Sequence, residues 1–159
     1  VTGVIKYSGF LVVAALLVIA DQLTKQSACQ HLFGQPAIEI LPVFKLVLVF
    51  NRGAAFGFLS QAGGWQHWLL ISLAIGFSLV LLVWMWRQHT QKFWLTFGLA
   101  LVLAGAIGNL IDRINLGYVI DFIALHYQNW YFPVFNVADV CITIGAIILI
   151  ADSLFFSDN

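Results

Sequence analysis

The sequence predicts an all-α integral-membrane fold of four spanning helices with a small β-element at one membrane surface, and three observations carry that reading. Hydrophobic residues make up 62% of the chain and charged residues 9%, against roughly 25% charged in ordinary soluble domains. Four segments, Ser8 to Thr24, Trp68 to Trp86, Phe93 to Ile111 and Val137 to Phe156, are apolar over about the 20 helical residues that a bilayer core requires. The stretch AIEILPVFKLVLVFN, 37 to 51, alternates and is rich in β-branched residues, which marks one or two strands. The 159 residues read as a single domain, 1–159.

The first span follows Lys6 and has the length of a secretory leader. QSAC at 26 to 29 even has the shape of an acylated-cysteine processing site. Asp21 and Lys25, however, stand between the apolar run and Cys29, and Gln26 occupies a place where such sites want an aliphatic residue, so the segment is read as a retained anchor. The short link RQHTQK, 87 to 92, makes the second and third spans an antiparallel hairpin, and an even number of spans puts both termini on one side. Charge leaves the side open: Lys6, Arg87 and Lys92 mark one face as cytoplasmic, but Lys25, Lys45, Arg52 and Arg113 crowd the other. Between the third and fourth spans, GYVIDFIALHYQNWYFP, 117 to 133, is too short and polar to cross. Its Tyr, Trp and Phe spacing suits an interfacial helix.

Several function classes fall away. Seven basic and seven acidic residues cancel, and no basic cluster of the kind that grips a polyanion exists, so nucleic acid is not an expected partner. Cys29 and Cys141 form no CxxC pair and are read as packing residues. His31, His67, His89 and His126 are scattered and no HExxH occurs, so no metal is expected. GFS at 76 to 78 lacks the glycine of a nucleophile elbow, which leaves Ser72 and Ser78 as interhelical hydrogen bonders.

What needs explaining is the set of polar residues at the span ends, since an ionised carboxylate at a membrane helix centre costs about 2.5–3.5 kcal/mol. Asp21 and Lys25 are one turn apart in the order that favours an ion pair. Asn109, Asp112 and Arg113 fall within an arc of about 100° on a continuing helix, beside a small-residue stripe of Ala100, Ala104 and Gly108 that permits close packing. Asp112 and Arg113 either neutralise each other or serve a site; Asn109 and Arg113 are then free donors. Asn136, Asp139 and Thr143 share one face within about 60°. Asp139, in a first turn, is either a helix cap or a reactive group. Asp121 sits between YVI and FIAL with no basic neighbour at helical spacing. Asp121 and Asp139 therefore lie near one membrane face in apolar surroundings, where two carboxylates share a proton and can act as general acid and general base on water.

Four motifs in order, DQLTK (21–25), NRGAAFGFL (51–59), GNLIDR with GYVIDF (108–122) and FNVAD (135–139), closely resemble lipoprotein signal peptidase, the bacterial type II signal peptidase. The resemblance covers nearly the whole chain. It implies an integral-membrane aspartic endopeptidase that cleaves prolipoproteins on the N-terminal side of a diacylglyceryl-modified cysteine. It further implies an inner-membrane location with both termini cytoplasmic, a periplasmic active site, a small extracytoplasmic β-cradle and a periplasmic interfacial helix. The catalytic pair falls on Asp121 and Asp139. Substrate-binding positions fall on Asn51, Gly53, Asn109, Arg113, Asn136 and Ala138, and structural support on Asp21, Lys25 and Asp112. The GAAFG turn would let backbone approach backbone. No cofactor is implied. The implied partners are diacylglyceryl-modified prolipoproteins, membrane lipids and cyclic lipopeptide inhibitors of the globomycin type, acting on a monomer. Two rivals from other classes are a proton-coupled exporter, whose carboxylates would sit near the bilayer midplane, and a non-catalytic subunit of a membrane complex.

Overall fold

The computed structural model describes residues 2–53, 64–88 and 92–155. Four long helices, α1 (Thr2–Leu32), α2 (Trp65–Gln88), α3 (Phe93–Leu116) and α4 (Val137–Phe155), are each long and apolar enough to cross a membrane. Residues 89–91 of the tight link and 54–57 of the GAAFG turn lie outside the described residues. The chain is a multi-pass membrane protein.

α1 outruns its apolar stretch by two turns, to Leu32. Nothing between Thr24 and Leu32 breaks a helix, and Ala28 and Leu32 gain burial against Phe122, which rewards continuing it. α3 is the central helix: it packs on α1, α2 and α4 and is buried along most of its length. Phe10 of α1 and Leu81 and Met85 of α2 close on Leu99, Ala100, Val102 and Leu103 to form the main apolar cluster.

The close seam with α4 runs over glycines. A Cβ on Gly105 would enter the backbone carbonyl of Ala138, and one on Gly145 would come within 2.7 Å of the Gly98 carbonyl. These residues bring backbone against backbone, the small-residue packing of membrane helices. Ala100 and Ala104, expected beside Gly108 in that stripe, are buried in the same helix.

The expected strands are β1 (Ile38–Leu41) and β2 (Phe44–Asn51), but the sheet has two more. The segment 117–133, expected as an interfacial helix, is instead a hairpin of β3 (Val119–Tyr127) and β4 (Trp130–Tyr131), and the sheet order is β1-β2-β3-β4, antiparallel throughout. Tertiary pairing decides this: β2 presents unpaired N–H and C=O groups that a helix could not satisfy, and β3 supplies them. Among the described residues no further helix lies at this surface.

Three local features aim the chain at one place. α3 ends on Gly117, whose φ of 81° and N–H to the Arg113 carbonyl form a left-handed cap that turns the chain straight into β3. Asn51 pairs with Val119 in the β2–β3 register, so its side chain is the diagonal neighbour of Asp121. The Phe135 carbonyl accepts from both Phe122 and Ile123 N–H, which lays the approach to α4 beside β3 and brings Asn136 to Asp121.

Candidate active site

Asp121 projects from β3 and Asp139 from the first turn of α4, and each carboxylate oxygen accepts an N–H from a fixed neighbour. Asp121 Oδ1 accepts from Asn136 Nδ2 at 2.7 Å and its Oδ2 from Asn51 Nδ2 at 3.2 Å. Asp139 Oδ1 accepts from Asn109 Nδ2 at 2.8 Å and its Oδ2 from the Asn136 backbone N–H at 3.2 Å. The Asp139 N–H returns to Asn136 Oδ1 at 3.0 Å, a reciprocal capping box with Asn136 as cap. Capping and any reactive role therefore fall on the same residue.

Which way each amide faces is dictated by its carbonyl end. Asn51 Oδ1 accepts from Gly53 N–H, Asn136 Oδ1 from Asp139 N–H, and Asn109 Oδ1 from Lys25 Nζ at 3.0 Å and Asn136 Nδ2 at 3.1 Å. With every oxygen tied to a donor, the three NH₂ groups must point at the carboxylates.

Behind them lies a buried ionic cluster. Lys25 Nζ contacts Asp21 Oδ2 at 2.8 Å and Asp112 Oδ2 at 2.9 Å, with all three side chains at most 2% exposed. Removing one member of such a cluster typically costs about 3–5 kcal/mol because it strands the others. Asp112 is thus not neutralised by Arg113, contrary to one of the two sequence readings; Lys25, from another helix, does that. Nor are Asn109 and Arg113 free donors: Arg113 Nη2 reaches the Gly53 carbonyl at 3.1 Å and Nη1 the Asn109 carbonyl at 3.4 Å.

Gln22 escaped the sequence reading. Its amide donates to Asp112 Oδ1 at 2.9 Å, the Gly108 carbonyl at 3.1 Å and Asp21 Oδ2 at 3.2 Å. Only its place beside Asp21, inside a motif read for its charges, could have drawn attention to it.

A cavity of about 750 Å³ opens in front of the carboxylates, well within the range of small-ligand sites. Asn51, Asn109, Arg113, Asp121 and Asp139 stand on its wall, and Leu70, Leu73 and Phe77 of α2 with Val140 and Ile144 of α4 continue it as an apolar groove along the membrane helices. Gly53, Asn136 and Ala138 are off this wall. Asn136 and Ala138 stand behind it, 0% and 1% exposed. Asp21, Lys25 and Asp112 are further back still. Among the described residues no group of three His, Cys, Asp or Glu side chains is placed to hold a metal ion.

Burial, and then the negative charge of Asp139, raise Asp121 from its ordinary 3.8 to about 6, against the lowering pull of the Asn51 and Asn136 amides and of Lys25. Burial wins because a desolvated carboxylate is costly and the amides return only part of its hydration. Between about pH 4 and about pH 6 this site therefore holds a proton that a free aspartate would have lost.

The apolar groove ends at the two carboxylates, and comparison with known proteins places this chain of four membrane-spanning helices among the membrane peptidases. The family model described as signal peptidase (SPase) II matches residues 13–155. The chain is 47% identical over 146 residues to the lipoprotein signal peptidase of Acinetobacter baylyi, covering 92% of this chain and 82% of that one. It is 48% identical over 146 residues to that of Pseudomonas fluorescens, covering 91% and 86%. A solved bacterial membrane enzyme superposes with a TM-score of 0.81 at 30% identity, covering 96% of this chain and 91% of that one. The chain belongs to the signal peptidase II family.

Proposed function

We propose that the protein removes signal peptides from bacterial prolipoproteins as an intramembrane aspartic endopeptidase, cutting on the N-terminal side of a diacylglyceryl-modified cysteine, with Asp121 and Asp139 as the catalytic pair. The observation that carries this is the pair itself: two carboxylates on one cavity wall, each oxygen held from the protein side by an N–H. A carboxylate oxygen held by one donor keeps acceptor capacity for water or a shared proton.

The chemistry follows from one proton shared by two groups. The ionised carboxylate takes a proton from a water while the protonated one gives its proton to the scissile carbonyl oxygen. A C–O bond forms and a gem-diol results. Return of a proton to the amide nitrogen then lets the C–N bond break, giving a carboxylate on the signal peptide and a free amino group on the cysteine. Asn51, Asn109 and Asn136 hold the carboxylates through this exchange, and Arg113 stands at the wall where substrate backbone passes. The acyl chains of the lipidated cysteine lie along Leu70, Leu73, Phe77 and Ile144. A cyclic lipopeptide of the globomycin type, with an apolar body and a hydroxyl for the carboxylates, suits the same groove, and one protomer contains the whole constellation.

Asp121 on a strand and Asp139 in the first turn of its helix favour this reading over an exporter, whose carboxylates would sit at mid-span. With both termini cytoplasmic, the sheet and the carboxylates face the periplasm. The test is mass spectrometry of a lipidated prolipoprotein peptide incubated with purified protein. A single cut before the modified cysteine is expected, absent in folded Asp121→Asn and Asp139→Asn. Full cleavage by either variant would remove the dyad.

A further inference from the structure

The two carboxylates of the proposed dyad come from different elements, β3 and α4. Asn136 bridges their side chains directly, and the ionic cluster behind them ties together the backbone on which each is mounted. Asp112 Oδ2 accepts the backbone N–H of Ile120 at 3.1 Å, the residue immediately before Asp121. Asp21 Oδ1 accepts the backbone N–H of Ala138 at 2.8 Å, the residue immediately before Asp139. Each reactive aspartate thus has a second aspartate gripping the peptide that precedes it. The Lys25 ammonium joins the two grips, 2.8 Å from Asp21 and 2.9 Å from Asp112.

An ammonium has three N–H bonds and no acceptor. The third goes to Asn109 Oδ1 at 3.0 Å, the bond that turns the Asn109 amide toward Asp139. Lys25 is 1% exposed, off the cavity wall and fully engaged, so it has no proton donor left for substrate. We infer that Lys25 is a positioning residue of the proposed dyad: beside the direct Asn136 bridge, one buried ammonium sets the peptides that carry Asp121 and Asp139 relative to each other, and the orientation of Asp139 through Asn109. Gln22 of α1, bonded to both gripping aspartates, braces the cluster.

This inference rests on the dyad reading, and the experiment separates the two. Lys25→Met keeps the length of the side chain and removes the ammonium, leaving Asp21 and Asp112 to repel. The triple variant Lys25→Met, Asp21→Asn, Asp112→Asn removes the imbalance while each Asn Oδ1 can still accept the Ile120 or Ala138 N–H. Cleavage kinetics and Tm of both are measured beside Asp139→Asn. A misplacement of about 1 Å at a reacting group costs roughly 10²-fold, so Lys25→Met should lose between about 10-fold and 100-fold in kcat with KM changed less than about threefold. The triple variant should regain the wild-type Tm and stay at least about 10-fold low in kcat.

Should Lys25→Met not fold, the triple variant decides alone. Wild-type kcat in the triple variant would mean Lys25 only balances charge and would overturn the inference. So would a rise confined to KM, or a triple variant that does not regain its Tm. An active Asp139→Asn would instead take away the dyad, and with it the thing to be positioned.

Discussion

Gly108→Ala tests the fit where α1, α3 and α4 meet. The added Cβ would lie 2.6 Å from Asp21 Oδ2, 3.2 Å from Asp21 Cγ and 3.2 Å from the Ala138 Cβ. Carbon and oxygen pack comfortably near 3.5 Å, so the oxygen must retreat by close to about 1 Å. It has no freedom to do so: Oδ2 holds Lys25 at 2.8 Å and Gln22 at 3.2 Å, and Oδ1 holds the Ala138 N–H at 2.8 Å. Either those bonds stretch or the helices part. Overpacking of this kind costs about 1–3 kcal/mol, which for a chain of this size is about 2–12 °C in Tm. Displacing Asp21 also moves the peptide before Asp139, so cleavage should fall by about tenfold or more. Gly76→Ala is the control, since its Cβ would meet nothing within 4 Å, and it should leave Tm and rate unchanged. Differential scanning fluorimetry in detergent and the peptide cleavage assay read both variants. A Gly108→Ala protein with wild-type Tm and rate would refute the claimed rigidity of Asp21.

Two further outcomes are expected. Asn136→Ala removes the cap of α4 and the shortest bond to Asp121; a lost cap costs about 0.5–2 kcal/mol and a lost bond to a charged group about 1.5–3 kcal/mol, so both Tm and cleavage should drop, whereas loss of cleavage with an unchanged Tm would show that Asn136 does not hold the fold. Asp121 also makes stability depend on pH. Its folded value, about 6, lies above its ordinary 3.8, so the native state holds the extra proton between these values and stability falls as pH rises from about 4 to about 6. Melting curves across that window should show a decline that Asp121→Asn flattens; identical slopes in both proteins would contradict it.

The spans were legible because hydropathy depends on composition over about 20 residues and needs no tertiary partner. Their ends were less so: α1 continues past Thr24 because Ala28 and Leu32 find Phe122, nearly 100 residues away in sequence. The segment 117–133 misled for the same reason. Its aromatic content suits a membrane interface in either conformation, and the choice of strand lies in β2, which no local pattern around Asp121 records.

At the site, residue type and position singled out Asp21, Lys25, Asn109, Asp112, Arg113, Asp121, Asn136 and Asp139, whereas Asn51, Gly53 and Ala138 came with the resemblance alone. Their partners were another matter. Asp112 was weighed against its sequence neighbour Arg113 but pairs with Lys25 across helices. Gln22 carries no charge to betray it. Amide orientation, which decides what Asn51, Asn109 and Asn136 can donate to, is a property of the assembled network alone.

The central claim is that Asp121 and Asp139 work with one proton between them, and the pH dependence of kcat/KM for a lipidated prolipoprotein peptide tests it most directly. A shared proton gives a bell whose limbs belong to the pair and not to either residue. Burial and the neighbouring charge hold Asp121 at about 6, so the account predicts activity that persists to at least about pH 6, well above the ordinary 3.9 of a free aspartate, and then declines. A profile that stays flat from about pH 4 to 9, where a shared carboxyl proton must be lost, would contradict it.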